Sequence, residues 1–334
     1  RPAGPHPRRA PGATGRPRIN DRIRYAIALA AIIALALVPF VVSDSLVQFG
    51  INALLVATLA QGWNVIGGFA GYPSFGNSVF YGLGSYGTAI AMVEFNLPFG
   101  VALVIGALLG VATAFLFGVP ILRLRGPYFA IATLGLSAVM GAVVANVPIA
   151  GKNIGLILPL FKGDRLFYEL SLGLLVLATG SILWLSHSRF GAGLVAIRED
   201  EDAAQVMGIN TTLYKVLAFA LAGFLSAAAG GIHAYWITYV DPAGSFEGSL
   251  NVRMVIMTLF GGPGTVFGPV IGAFVLSAIY EVLASKISTV ATLFYGFVIV
   301  LAVIFMPKGL LDVIQGLRGS GVRYFGANMR RFRL

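Results

Sequence analysis

The chain is predicted to be an all-α, polytopic membrane protein with about ten transmembrane segments, and two observations carry that prediction. Only 11% of its 334 residues are charged, 57% are hydrophobic, and the mean hydropathy is +0.87. A soluble domain carries roughly 25% charged residues, so this composition leaves too little polar surface to cover a water-soluble globule. The second observation is arrangement: the apolar residues form long continuous runs. A membrane β-barrel would instead show alternation over strands of about 10 residues.

Residues 1–24 form a tail rich in Pro, Gly and Arg, expected to be disordered, basic and cytoplasmic. The numbering begins at Arg1 and not at a Met, so the natural start is expected to lie upstream. Residues 25–42 have the look of a signal peptide's apolar region, but they lack a small-x-small cleavage site, so a retained helix is expected. Nine further apolar segments follow at 46–67, 74–93, 99–122, 128–147, 168–185, 213–238, 249–262, 267–284 and 289–306. Segments 74–93 and 249–262 are short or Gly-interrupted, so the count lies between eight and ten, with some helices broken or half-spanning. Residues 25–306 thus make one transmembrane domain, with a cytoplasmic loop at 186–212, and 307–334 make a basic cytoplasmic tail.

Charge orients this map. With a cytoplasmic N-terminus and ten alternating segments, 18 of the 23 basic residues fall on the cytoplasmic side. Lys152, Lys162, Arg165, Arg253 and Lys286 fall on the other. Such a bias places both termini in the cytoplasm. Trp236, with Tyr235 and Tyr239, then lies at the outer boundary, where aromatic belts sit. The pI near 10 does not indicate nucleic acid, because the basic residues flank apolar spans.

Other chemistries are excluded by residue type. The chain has no cysteine, so disulfides, thiolate metal sites and Cys nucleophiles are ruled out. His6, His187 and His233 are isolated, which gives no metal cluster, and His233 reads as packed or interfacial. Gly151-Lys152-Asn153 lacks the upstream Gly and the following Ser/Thr of a phosphate loop. Asn210-Thr211-Thr212 is a glycosylation sequon, void on the cytoplasmic side. No paired acids, Ser–His pair or ligand set shares one plane as an intramembrane enzyme would need.

Four of the 13 acids are consecutive: Glu199, Asp200, Glu201 and Asp202. The stretch 199–207 reads as a short helix between two spans, its acids favoured at the positive end of the helix dipole. Gly208 can take the left-handed conformation that ends it. Asn210, Thr211 and Thr212 can cap the next span, starting near Leu213. Ala203, Ala204 and Met207 are expected to form a small apolar face suited to another protein's groove. The alternative is a solvated loop whose acids offset Arg189 and Arg198.

This segment resembles the coupling loop of ABC-importer permeases, whose signature is Glu-Ala-Ala, three residues, then Gly. Glu201, Ala203, Ala204 and Gly208 approximate it, with Asp202 inserted. LRLRGPYFAIATLG (122–135) closely resembles the loop-to-helix signature of the LivM family, the permease subunits of branched-chain amino acid importers. NVIGGFAGYPSFGNSVFYGLGSY (64–86) and MTLFGGPGTVFGPVIGA (257–273) resemble that family's two Gly-rich motifs. The resemblance implies a subunit of the bacterial inner membrane that pairs with a homologous permease. The pair would dock two cytoplasmic ATPases and receive solute from a periplasmic binding protein. ATP and magnesium would bind on those ATPases, with no cofactor on this chain. Coupling would fall to Arg198, Glu199, Asp200, Glu201, Asp202, Ala203, Ala204, Met207 and Gly208, with the acids as an exposed edge that steers docking.

The solute path is expected at the two interrupted segments. Gly67, Gly68, Gly71, Pro73 and Gly76, then Gly82, Gly84 and Gly87, weaken one helix. Gly261, Gly262, Pro263, Gly264, Gly268 and Pro269 repeat the pattern. Paired interruptions in two halves of a transporter point to the binding path. Asn64, Ser74, Asn77, Ser78, Arg253, Gly261 and Gly262 are the candidate path residues. The alternative is that glycines allow close packing, as expected of Gly106/Gly110 and Gly223/Ala227/Gly231. Two residues depart from the resemblance: Asn77 stands where relatives commonly carry His, and Arg253 where they are apolar. Arg253 either snorkels, pairs with Glu247 or Asp241, or meets a substrate carboxylate.

A stand-alone channel or secondary transporter is the competing reading. Glu94, Glu169, Glu247 and Glu281 map at or near segment ends, which argues against proton coupling though not against a channel. Orientation is directly testable in a chain with no native Cys. A Cys placed at 200 is expected to label from the cytoplasmic side only; labelling in intact cells by an impermeant reagent would overturn the map.

Overall fold

The computed structural model describes residues 30, 32–161, 163–286 and 296–297. The expected tails at 1–24 and 307–334, nearly all of the segment at 289–306, and the first third of that at 25–42 lie outside the described residues. The eight expected segments between them each correspond to one helix. These are α1 (Asp44–Trp63), α2 (Asn77–Val93), α3 (Phe99–Ile121), α4 (Pro127–Asn146), α5 (Asp164–His187), α8 (Thr211–Ile237), α10 (Gly248–Gly261) and α11 (Gly268–Lys286). Between α5 and α8 lie α6 (Arg189–Glu199) and α7 (Glu201–Val206), and α9 (Pro242–Ser245) is a single turn before α10. Among the described residues, five helices are long and apolar enough to cross a membrane: α1 with its extension to Phe69, α3, α4, α5 and α8. At 1.5 Å per residue the 27-residue α8 is about 40 Å long, ample for a hydrocarbon core of about 30 Å. The 14-residue α10 reaches only about 21 Å and falls short of that core.

The bundle is centred on α1 and α8, whose apolar windows are mostly buried, while α3 and α4 turn most of theirs outward. At one end, a two-stranded antiparallel ribbon pairs β1 (Leu156–Ile157) with β2 (Tyr239–Val240), with Leu156 opposite Val240. There Asp164 starts α5 and accepts from Trp236 Nε1 at 3.3 Å and from Gln48 Nε2 at 3.0 Å. At the opposite end the α1–α2 and α3–α4 connections meet α7 and the first turn of α8. His233 is packed between the rings of Tyr81 and Trp236, at 5.7 and 5.8 Å.

Helices α2, α3 and α8 approach through small residues. An added Cβ on Gly84 would fall on the Ala227 backbone, and one on Gly230 on the Tyr81 carbonyl. Gly110 and Gly223 face each other so closely that either Cβ would press on the other's carbonyl. Lipid tails are as apolar as leucine, so membrane helices associate by close van der Waals packing, and small residues permit it.

This corrects the expectation that Gly82, Gly84 and Gly87 interrupt segment 74–93. α2 is continuous across all three; Gly82 accommodates the Phe246 ring and Gly87 lies against Gly106. Likewise α10 is continuous from Gly248 to Gly261. The unwound backbone lies at 70–76 and 262–267, beside these helices, because neighbouring elements there replace the helical hydrogen bonds. Phe75 N donates to Thr133 Oγ1 (3.0 Å) and Phe75 O accepts from Ser137 Oγ (3.1 Å). Trp63 Nε1 reaches Ser74 O at 2.7 Å. α1 itself loosens into a π-helical stretch over Asn64–Phe69 before the chain leaves it, a feature frequent at functional sites.

The small-residue seam yields a prediction. Gly84→Ala should destabilise the protein by about 1–3 kcal/mol, the usual cost of overpacking. Gly135→Ala, where a Cβ meets nothing within 4 Å, should be neutral. Thermal unfolding in detergent measures both; equal midpoints would show that the seam can relax.

Candidate functional site

The acidic stretch folds as an elbow, not as the single helix expected over 199–207. α6 is capped by Ser188, whose hydroxyl accepts from Gly191 N at 3.0 Å, and runs to Glu199. Asp200 then takes an extended conformation (φ −159°, ψ 110°) and caps α7. Its Oδ1 accepts from the backbone N–H groups of Asp202 and Ala203, both at 3.0 Å. An aspartate satisfies two otherwise orphaned donors better as a cap than as a helical residue, so the helix breaks there. At the other end Gly208 adopts φ +86°, and Ile209 N bonds back to Ala204 O at 3.1 Å. Asn210 caps α8 by accepting from Leu213 N at 3.1 Å.

The four acids do not form one exposed edge. Glu201 points inward to Lys215, which is only 3% exposed although it lies in the first turns of α8. Lys215 Nζ donates to Glu201 Oε1 (2.6 Å), Leu122 O (2.9 Å) and Tyr72 Oη (3.1 Å), so all three of its protons are used. Tyr72 in turn donates to Glu201 Oε2. Asp202 faces solvent and receives both Nη atoms of Arg125, at 2.8 and 3.1 Å, while Arg125 Nε lies 3.5 Å from Glu201 Oε2. Glu199 is exposed and pairs with Arg198 at 2.9 Å. A charge taken out of water must be paired and hydrogen-bonded, and Lys215 draws Glu201 inward for that reason.

The apolar face is also corrected. Ala204 is buried among Leu194, Ile197 and Phe219 in one of the hydrophobic clusters, while Ala203 is exposed and Val206 and Met207 are 87% and 83% exposed. The inward pull on Glu201 rotates Ala204, three positions on, toward the protein as well. The outward apolar surface of α7 is therefore Val206 and Met207.

Electrostatics follow the geometry. Burial alone would raise the Glu201 carboxyl, but hydrogen bonds from Lys215 and Tyr72 and the charges of Lys215 and Arg125 outweigh it and hold it below its ordinary value. Arg125 holds Asp202 low through its hydrogen bonds and charge, and Asp202 raises Arg125 in return.

The expected path residues have internal partners. Asn64 is fully buried; its Oδ1 accepts from Gly264 N (2.8 Å) and its Nδ2 donates to Thr265 O (2.9 Å). Gln61 Nε2 adds a bond to Val266 O at 2.7 Å. Asn64 thus joins the π-helical end of α1 to the 262–267 loop, in which Gly262 takes φ +123° after Gly261 closes α10. Ser74 accepts from Gly76 N (3.2 Å). Ser78 donates to Ser137 (3.0 Å) and is clasped by Asn251 through its N–H and hydroxyl, both at 2.8 Å. Asn77 differs. It is fully buried, and neither amide atom has a hydrogen-bond partner among the described residues. Arg253 lies with its guanidinium 5.9 Å from the Tyr280 ring centroid, an arrangement that replaces the expected pairing with Glu247 or Asp241. Asp241 instead caps α9 through Gly244 N.

Comparison with known proteins places this arrangement. Residues 45–306 match the family described as "Branched-chain amino acid transport system / permease component". The chain belongs to that family. The permease is 28% identical to the high-affinity branched-chain amino acid transport system permease protein LivM of Escherichia coli, over 89% of this chain and 77% of that protein. It is 26% identical to the probable branched-chain amino acid transport permease protein LivH of Methanocaldococcus jannaschii, over 79% of this chain and 89% of that one. It is also 26% identical to an autoinducer 2 import system permease protein LsrC of Salmonella, over 71% of this chain and 64% of that protein. No solved structure matches. The permease is therefore a multi-pass membrane component of an ABC importer, a transport subunit and not an enzyme.

Sequence reading missed the residues that hold α7 in this permease: Lys215, Tyr72, Arg125 and the Leu122 carbonyl. The available signal was Lys215, a lone cation inside the apolar run 213–238, which demands an acidic partner.

Glu201→Ala would leave Lys215 buried and unpaired, so it should cost about 3–5 kcal/mol, while Asp202→Asn changes stability little. Glu201's folded value lies below its ordinary 4.5, so its contribution is complete above that pH and is lost as the pH falls through the lower folded value. Wild type should therefore lose more stability than Glu201→Gln between pH 5 and the acid limit, in unfolding curves measured in detergent. Parallel pH profiles would refute the assignment.

Proposed function

We propose that the chain is the permease subunit of an importer for a small amino acid-like or carboxylate solute, resident in a bacterial inner membrane with about ten segments and both termini cytoplasmic. It pairs with a homologous permease. Two ATPases, which bind ATP and magnesium, drive it from the cytoplasm, and a periplasmic binding protein delivers the solute. The names of the related LivM and LivH proteins support amino acids; the LsrC name shows that other small solutes use relatives of this chain.

One observation carries the coupling role. α7 is a short helix held to α8, to the α1–α2 connection and to the α3–α4 turn by Glu201, Asp202, Lys215, Tyr72 and Arg125, yet it turns Val206 and Met207 almost fully outward. A helix fastened on its inner side to several spans, with apolar side chains on its outer side, can seat in a partner's groove and pass displacement to all of them. Arg198 through Gly208 form this unit. On the solute side, Asn77 is the path residue we favour, because a buried amide with unused donors and acceptor is costly unless another state provides partners. Asn64, Ser74, Ser78, Gly261 and Gly262 shape the surrounding backbone, and Arg253 lies over the Tyr280 ring.

Affinity purification of the chain with its neighbouring subunits tests this reading. The second permease and both ATPases should co-purify, with ATP hydrolysis stimulated by the loaded binding protein. Val206→Asp combined with Met207→Asp should remove the ATPases at least tenfold while leaving the permease pair intact. A chain that transports without any ATPase would be a stand-alone channel or carrier.

A further inference from the structure

Arg198 occupies a notch made of backbone. It lies one residue before the end of α6, and its Nη1 donates to Gly68 O at 3.0 Å. Its Nε and Nη2 hold Glu199 Oε1 at 3.2 and 2.9 Å. The walls of the notch are two glycines with left-handed backbone, Gly71 (φ +76°) and Gly264 (φ +72°). A Cβ on Gly71 would lie 2.5 Å from Arg198 Cγ, and one on Gly264 would lie 3.0 Å from Nη1. Side chains at these positions would be both strained and in the path of the arginine.

The carbonyl that Arg198 contacts is in the last turn of the π-helical stretch, where the exposed carbonyl end of a helix carries partial negative charge. The same stretch is bonded to the 262–267 loop through Asn64. Arg198 thus lies against Gly71 of one unwound segment and Gly264 of the other, beside the π-helical turn that Asn64 bonds to the 262–267 loop. Two residues further along, beyond the Asp200 break, Glu201 and Asp202 fasten α7 to Lys215 and Arg125. The elbow therefore has two separate attachments, one to the α8 and α3–α4 ends and one to the π-helical end of α1.

We infer that Arg198 is a positioning residue that ties the α6–α7 elbow, through the Gly68 carbonyl, to the end of α1 that leads into the break at 70–76 and is bonded to the break at 262–267, so that displacement of the elbow moves α2 and α10 together. The inference rests on the coupling reading above. The guanidinium suits the task because its fork holds the Gly68 carbonyl and Glu199 at once, which a single ammonium cannot do at the same geometry. Glu199 serves only to orient the fork from the solvent side.

The test uses the whole complex of permease, second permease and ATPases in nanodiscs, all free of other cysteines, with spin labels at Gln205 on α7 and, separately, at Phe267 in the loop; both positions are exposed. ATP with vanadate should change both spectra in wild type. In Arg198→Leu the change at 205 should persist and that at 267 should be lost, and solute moved per ATP should fall at least tenfold. Should Arg198→Leu fail to accumulate, Arg198→Lys takes its place, with a reduced response at 267 and an unchanged one at 205. A full response at 267 in the Arg198 variant overturns the inference while leaving the importer reading intact. A wild-type complex silent at 205 overturns the coupling reading, and this inference with it.

Discussion

The buried ion pair of Lys215 and Glu201 constrains everything at its end of the molecule. A lysine in the first turns of a long apolar helix must find partners or pull out of the membrane edge, and here it finds three. Each partner comes from a different connection: Tyr72 from between α1 and α2, Leu122 from the end of α3, and Glu201 from α7. Desolvation offsets most of the attraction in such a pair, so its net contribution to stability is small. What it contributes is position. Four chain segments separated by up to 143 residues are brought to one point, and the short α7 has a defined place despite being too brief to be stable alone.

Around this point the bundle solves two packing problems by different means. In its interior, glycines let α2, α3 and α8 touch backbone to backbone, which suits an environment with no hydrophobic drive between helices. Near the ion pair, helices stop short, and their freed backbone groups are bonded by Asn64, Gln61, Thr133, Ser137 and Trp63. Unwound backbone survives at such depth only when protein supplies the missing bonds. Gly residues of one motif serve both ends: Gly68 admits Asn64 and Gly264, Gly71 admits Arg198, and Gly84 and Gly87 admit neighbouring helices. The pattern of glycines is similar in the two uses, and only their neighbours differ.

The membrane class, the eight central helices and their approximate bounds were legible in the sequence, because lipid requires every backbone group to be satisfied within its own segment and so writes each span as a continuous apolar run. Local caps were legible too: Gly208 and Asn210 act through atoms within a few residues, and both occur where sequence places them. Arg253 and Asn77 were legible as unusual residues but not in their surroundings, since a ring 27 positions away and a missing partner leave no local trace.

Which way each side chain faces was decided by tertiary contact. Composition made the four acids look alike, yet Asp200 became a cap, Glu201 the partner of a buried lysine, Asp202 an exposed partner of Arg125, and Glu199 a surface partner of Arg198. The difference arises because the inner partners lie 14 to 129 positions from Glu201, and no short-range pattern encodes a pairing at that distance. The sequence by itself determined a helical membrane protein with a charged stretch between two spans and two glycine-rich motifs. That Arg198 reaches the end of α1 was decided only by packing, since the atom that receives it is the Gly68 carbonyl, 130 positions away, whose location depends on the whole fold.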